Sequence, residues 1–179
     1  MADYPAELIR KRYLFDGTPA TIRPIRAEDA DIEQDFVRGL SRETRYGRFM
    51  ATLRELSPPK LRYLTEIDYE RHIALIATID HDGVEEEIAV ARYVVGPDGH
   101  TCEFAIVVGD AWQGSGVAGM LMLQLIEVAA SRGLKTMEGF VLATNHKMLK
   151  FCRQLGFRME PLPDDFETVR VVRSLDETV

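Results

Sequence analysis

Cysteine is scarce in this chain: Cys102 and Cys152 are the only two among 179 residues. They lie far apart, each inside an apolar segment, which excludes a disulfide framework and fits buried thiols. Basic charge is short as well. The balance of 22 basic against 29 acidic side chains gives a formal net charge of −7, which repels nucleic-acid phosphates and anionic lipid headgroups alike. No nucleic acid and no membrane is therefore expected as a partner. A cationic or amine-bearing acceptor would be drawn to such a surface, although a negative balance is also an ordinary route to solubility. The histidines His72, His81, His100 and His146 lack the spacing of zinc motifs, so no metal is expected and they read as surface or strand-end residues. Long hydrophobic runs are missing too. No stretch reaches the roughly 18 apolar residues of a membrane helix, and the start, MADYPAELIRKRYLFDG, has no signal-peptide core. The expected location is the cytoplasm.

What is present is an apolar content of 46%, enough at this length for one core and too little for two. Residues 1–19 read as a leading segment and 20–176 as one domain. Ala20 to Ile25 alternates after the Asp16-Gly17 turn signal and predicts a strand, and the stretch from Asp29 to Leu40 predicts a helix. Ser41 with Thr44 three residues on marks a further helix toward Thr52, and a short one follows the Ser57-Pro58-Pro59 break to Glu66. His72 to Ile79, Ile88 to Val95 and Thr101 to Val108 are β-branched runs separated by Gly-containing turns, a three-strand antiparallel meander. From Gly114 to Arg132 the chain is apolar almost all round, with Gln124, Glu127 and Ser131 as one wet stripe of a packed helix. Thr136 to Leu142 then predicts a strand, Asn145 to Leu155 a helix stopped by Gly156, and Thr168 to Ser174 a last strand. The class is α/β with a mixed sheet.

The segment that carries chemistry is TCEFAIVVGDAWQGSGVAG, Thr101 to Gly119: an apolar strand, a short polar loop, then glycines opening a long helix. The first N–H groups of a helix lack intrahelical partners and sit at the positive end of its dipole. Small residues at Gly114, Ser115, Gly116, Ala118 and Gly119 let a pyrophosphate approach them. The same letters spell the G-x-G-x-x-G fingerprint of dinucleotide folds. In those folds, however, the strand runs almost directly into the first glycine, whereas Gly109 to Gln113 intervene here. Glu138 also stands too early in its strand to hold a ribose, and too little chain follows to complete a doubly wound sheet.

Read as Q-x-x-G-x-A, the run Gln113 to Ala118 resembles the [QR]-x-x-G-x-[GA] signature of the GCN5-related N-acetyltransferase (GNAT) superfamily. The likeness covers roughly Ala20 to Ser174. The stretches DGTPATIRPIRAEDA, GLSRETRYGRF and LRELSPPKLRYLTEIDYERHIALIA are similar to bacterial Pat-type protein lysine acetyltransferases. In that group the domain is often joined to an acyl-CoA-synthetase-like or nucleotide-sensing module, and Tyr4 to Gly17 resembles the junction to it. The resemblance implies a mostly antiparallel sheet flanked by helices, with a cofactor cleft between the fourth and fifth strands. It further implies an acetyl-CoA donor, bound by the main chain of Ile106, Val107 and Val108 along the pantetheine arm. Gln113, Gly114, Ser115, Gly116, Val117, Ala118 and Gly119 would hold the pyrophosphate, and Asn145 would touch the pantetheine, although Asn is a favoured N-cap whatever is bound.

Glu103 is the candidate general base. It shares one strand face with Ala105 and Val107, and apolar neighbours such as Phe104 and Ala105 are expected to raise its pKa. The resemblance implies the same role, since Pat-type enzymes carry a base glutamate on this strand. A base is needed because a lysine amine of pKa near 10.4 is unprotonated in only roughly one molecule in a few thousand at neutral pH. A covalent route through Cys102 or Cys152 has no histidine placed to activate it. The position where many relatives carry a tyrosine acid is Cys152 here, so water is left to protonate the departing thiolate. The acceptor is expected to be a protein lysine. A small amine or polyamine, and a non-catalytic acetyl-CoA sensor, are the competing readings, and monomer and homodimer both stay open.

Overall fold

The computed structural model describes residues 3–44 and 55–176. Eight strands are hydrogen-bonded in the order β1-β2-β3-β4-β5-β6-β8-β7: β1 Arg10–Tyr13, β2 Pro19–Pro24, β3 His72–His81, β4 Val84–Val95, β5 Thr101–Val108, β6 Thr136–Leu142, β7 Arg158–Leu162 and β8 Asp165–Ser174. The helices are α1 Ala30–Arg38, α2 Pro58–Thr65, α3 Val117–Ser131 and α4 His146–Gln154. Among the described residues these elements form two compact units, 3–44 with 55–92 and 106–122, and 93–105 with 123–176.

In the first unit, β2 pairs antiparallel with both β1 and β3. The Asp82-Gly83 pair joins β3 to β4 with both residues at positive φ, 54° and 84°, the twist a two-residue hairpin requires. Phe36 and Val37 of α1 pack with Leu40, Leu56, Leu64 and Ile67 over Ala74, Ile76, Val90 and Val107 on the strands. Ser57 caps α2 by accepting the Lys60 N–H, and Pro58 stands at a first-turn position where no N–H is needed. Ser41 Oγ likewise accepts the Thr44 N–H at 3.2 Å; the rest of the helix expected to run to Thr52 lies outside the described residues.

In the second unit, β6 pairs parallel with β5 over Thr101–Glu103 against Thr136–Glu138, and antiparallel with β8 along its whole length. Phe104 stacks tilted on Phe157 with ring centroids 5.0 Å apart. Gly139 makes room for it: a Cβ there would meet the Phe104 ring at 2.5 Å, inside any tolerable contact.

Several expectations need correction. The long helix begins at Val117, three residues after Gly114, because Gly114 and Gly116 adopt positive φ. Its exposed positions are Leu123, Glu127, Ala130 and Ser131, while Gln124 is buried. His72 opens a strand as expected but is buried, not at the surface. Two strands escaped prediction, β1 and β7. The strands predicted fourth and fifth are β5 and β6.

Candidate active site

The site residues of the first unit follow one another along the chain. Ile106 and Val107 are buried and Val108 half-buried, so their side chains belong to the core and their main chain is what remains for recognition. The Gly109 N–H then donates to the Ile88 carbonyl at 2.8 Å. Residues Asp110–Trp112 form a single 3₁₀ turn, fixed by a Thr44 hydroxyl donating to the Asp110 carboxylate at 2.9 Å. The Ser115 N–H donates back to the Trp112 carbonyl at 3.2 Å, closing the loop.

At the start of α3 the backbone donors divide into two sets. The Val117 N–H is satisfied by Ser115 Oγ at 3.4 Å and the Met120 N–H by the Gly116 carbonyl at 3.2 Å. The N–H groups of Gly114, Gly116, Ala118 and Gly119 donate to no described residue. Unpaired amides at a helix N-terminus form an anion cradle, and the small residues there keep it open. This arrangement fits a diphosphate. Val117 is 1% exposed, so among Gln113 to Gly119 it is the residue whose side chain cannot take part.

Glu103 and Asn145 belong to the second unit. Glu103 precedes Ile106 by three residues on β5, about 10 Å of extended chain. Its side chain is exposed, against the expectation of apolar enclosure. Successive strand residues project to opposite faces, so Phe104 turns away into its contact with Phe157 and does not desolvate Glu103. Its register partner is Glu138, a carboxylate weighed from the sequence only as a ribose ligand. Arg170 holds Glu138 at 2.6 Å and also pairs with Glu160. Asn145 is the N-cap of α4, its Oδ1 accepting the Met148 N–H at 3.2 Å, which leaves its side-chain NH₂ for other partners.

Neither thiol suits covalent chemistry. Burial pushes Cys102 up to about 12, helped by the charge of Glu138, and Cys152 up to about 11, so both stay protonated near neutrality. In the turn between α2 and β3, the Asp68 carboxylate accepts the N–H groups of Glu70, Arg71 and His72. The Tyr69 hydroxyl donates to the Ile25 carbonyl. Those two side chains build the turn; Tyr69 is half-buried, while Tyr63, Glu66, Asp68 and Glu70 are exposed. Among the described residues no group of His, Cys, Asp or Glu is placed to hold a metal ion.

Residues 39–157 match the Acetyltransferase (GNAT) family. An acetyltransferase of Pseudomonas aeruginosa is 38% identical over 85% of this chain and 82% of its own length. The acetyltransferase Pat of Mycolicibacterium smegmatis is 33% identical over 75% of this chain, but over only 40% of its own length. The solved GNAT domain of S. lividans PAT superposes with a TM-score of 0.87 at 33% identity, covering 96% of this chain and 99% of that one. A spermidine N-acetyltransferase of Vibrio cholerae, solved with CoA and spermine, shares the fold at a TM-score of 0.70 and 17% identity, over 87% of this chain and 95% of that one. The cradle at the head of α3 and these likenesses agree: the chain belongs to the GNAT family of N-acetyltransferases.

Proposed function

We propose that the chain transfers an acetyl group from acetyl-CoA directly to the side-chain amine of a protein lysine, with Glu103 as the general base. The observation that carries the reading is the set of N–H groups at Gly114, Gly116, Ala118 and Gly119 that donate to no described residue, downstream of a strand bearing Glu103. Those amides, with Gln113 and Ser115, would bind the diphosphate. The main chain of Ile106 to Val108 would align the pantetheine arm, and the Asn145 side-chain NH₂ would contact it. Acetyl-CoA supplies an activated thioester acyl group.

The protein's own part is to take a proton and steady a charge. Exposed Glu103 removes the ammonium proton directly or through one water, a contribution on the order of 10²–10⁴ in rate. A main-chain N–H near Val108 steadies the developing oxyanion. The departing thiol has a pKa near 8.5, so water suffices to protonate it.

The lysine acceptor is supported by the 33% identity to a Pat acetyltransferase and by a net charge of −7 that favours basic partners. Incubation with cell extract and acetyl-CoA, followed by mass spectrometry, should reveal acetylated lysines. Glu103→Gln should abolish most of that signal while CoA binding by calorimetry is unchanged. Wild-type turnover by folded Glu103→Gln across pH 6 to 9 would remove Glu103 as the base. Transfer to polyamines alone would point to the small-amine reading, and tight binding without transfer to a sensor.

A further inference from the structure

The turn between β1 and β2 reaches the cofactor loop within the first unit. The Phe15 N–H donates to the Ser115 carbonyl at 3.0 Å. The Phe15 ring lies against Gly116, where a Cβ would stand 2.7 Å from two of its ring carbons. Yet Phe15 is 80% exposed. An apolar ring that sets one edge against a glycine and leaves the rest to water gains little by burial. Its position, not its burial, is what needs explaining.

The same Gly116 belongs to the cradle of unbonded amides. A diphosphate seated there carries pantetheine on one side and adenosine on the other, and the pantetheine side is already assigned to Ile106 to Val108. The exposed ring stands next to Gly116, whose amide would face the phosphates, and an aromatic face is the surface on which a purine base stacks. Hydrogen bonding through the Phe15 main chain ties the turn to the loop at Ser115, so the backbone that carries the ring is already in place before a ligand binds. We infer that Phe15 is a specificity-determining residue for the donor, stacking on the adenine base of the coenzyme and so selecting the adenosine-bearing form over shorter pantetheine thioesters.

This inference rests on the cofactor reading above, and its test keeps the two apart. Calorimetry on the full chain would use CoA and 4′-phosphopantetheine, which lacks the adenosine. Phe15→Ala and Phe15→Leu should each weaken CoA on the order of tenfold, the typical loss of one base–aromatic stack. Phe15→Trp should keep wild-type affinity, and 4′-phosphopantetheine should bind all four proteins alike. Ethenoadenine-CoA at saturation should be quenched on the wild type and brighter on Phe15→Leu.

Leucine still covers Gly116 but cannot stack, so wild-type CoA affinity in Phe15→Leu would show that the ring only packs the loop and would overturn the inference. Equal weakening of both ligands, or identical emission from the bound etheno ligand, would overturn it too. Failure of the wild type to bind CoA would instead strike the cofactor reading itself.

Discussion

Glu87 is 3% exposed and neither of its carboxyl oxygens accepts a hydrogen bond from a donor in the described structure. Burial, and after it the neighbouring Glu33 carboxylate, pushes its pKa well above the ordinary range, only partly opposed by Arg92. Two carboxyl groups side by side satisfy each other when one keeps its proton. The sign follows: a carboxyl whose folded pKa is raised contributes stability that is full below its unfolded value and is lost as pH rises through the folded one. Glu87→Gln supplies a permanent donor toward Glu33. Urea titrations should show it equal to the wild type in mild acid and gaining by roughly 1–3 kcal/mol as pH rises; a constant difference would refute the shared proton. Gly116→Ala tests the opposite kind of residue. At φ +91° and with the Phe15 ring in the way, alanine should cost about 1–2 kcal/mol of stability and lose CoA affinity by calorimetry. The glycine was legible as part of a motif. The buried glutamate was not, because nothing in its local sequence distinguishes it from its exposed neighbours Glu85 and Glu86.

At the scale of elements, the entry into α1 is held by charge. Arg23 of β2 donates to both carboxylate oxygens of Asp29 at 2.7 Å, and Asp29 also accepts the Arg26 N–H at 2.9 Å. Both side chains are about as buried as the core, at 6% and 4% exposure, while Glu85 takes the outer side of the same guanidinium at 2.9 Å. Removing one partner strands the other charge away from water, at a cost of about 3–5 kcal/mol. Asp29→Ala should lower the unfolding free energy from urea titration accordingly, and Glu85→Ala should lower it by about 1 kcal/mol or less, since its carboxylate is 41% exposed. The helices were readable because their caps and periodicity are local. β1 was not, since all four residues of Arg10–Tyr13 are exposed and no hydrophobic alternation marks them. β7 hid behind Pro161, a residue that demotes a run to an edge. β7 is indeed an edge strand, with its register irregular at Pro161/Leu162. Gln124 was misread because polarity was taken for exposure, when the open stripe of α3 runs through Leu123 and Glu127 instead.

For the whole molecule, the family was legible because its signature sits in a loop whose geometry is fixed by small residues at set spacings, from Gln113 to Gly119. What no sequence pattern displays is the distant contact of Phe15 with Gly116, about a hundred residues along the chain, or the clamp of Arg170 on Glu138. A ligand that binds the folded state alone raises its stability by mass action, about 2.7 kcal/mol at a hundredfold excess over Kd. For a chain of 179 residues that corresponds to a rise in Tm of roughly 5–10 °C. CoA should produce this shift in the wild type and in Glu103→Gln, whose change spares the diphosphate cradle. In Gly116→Ala the shift should shrink to near zero. A full shift in that variant would mean that the coenzyme is not gripped by the amides at the head of α3, because a methyl group at φ +91° and against the Phe15 ring must displace the loop that presents them.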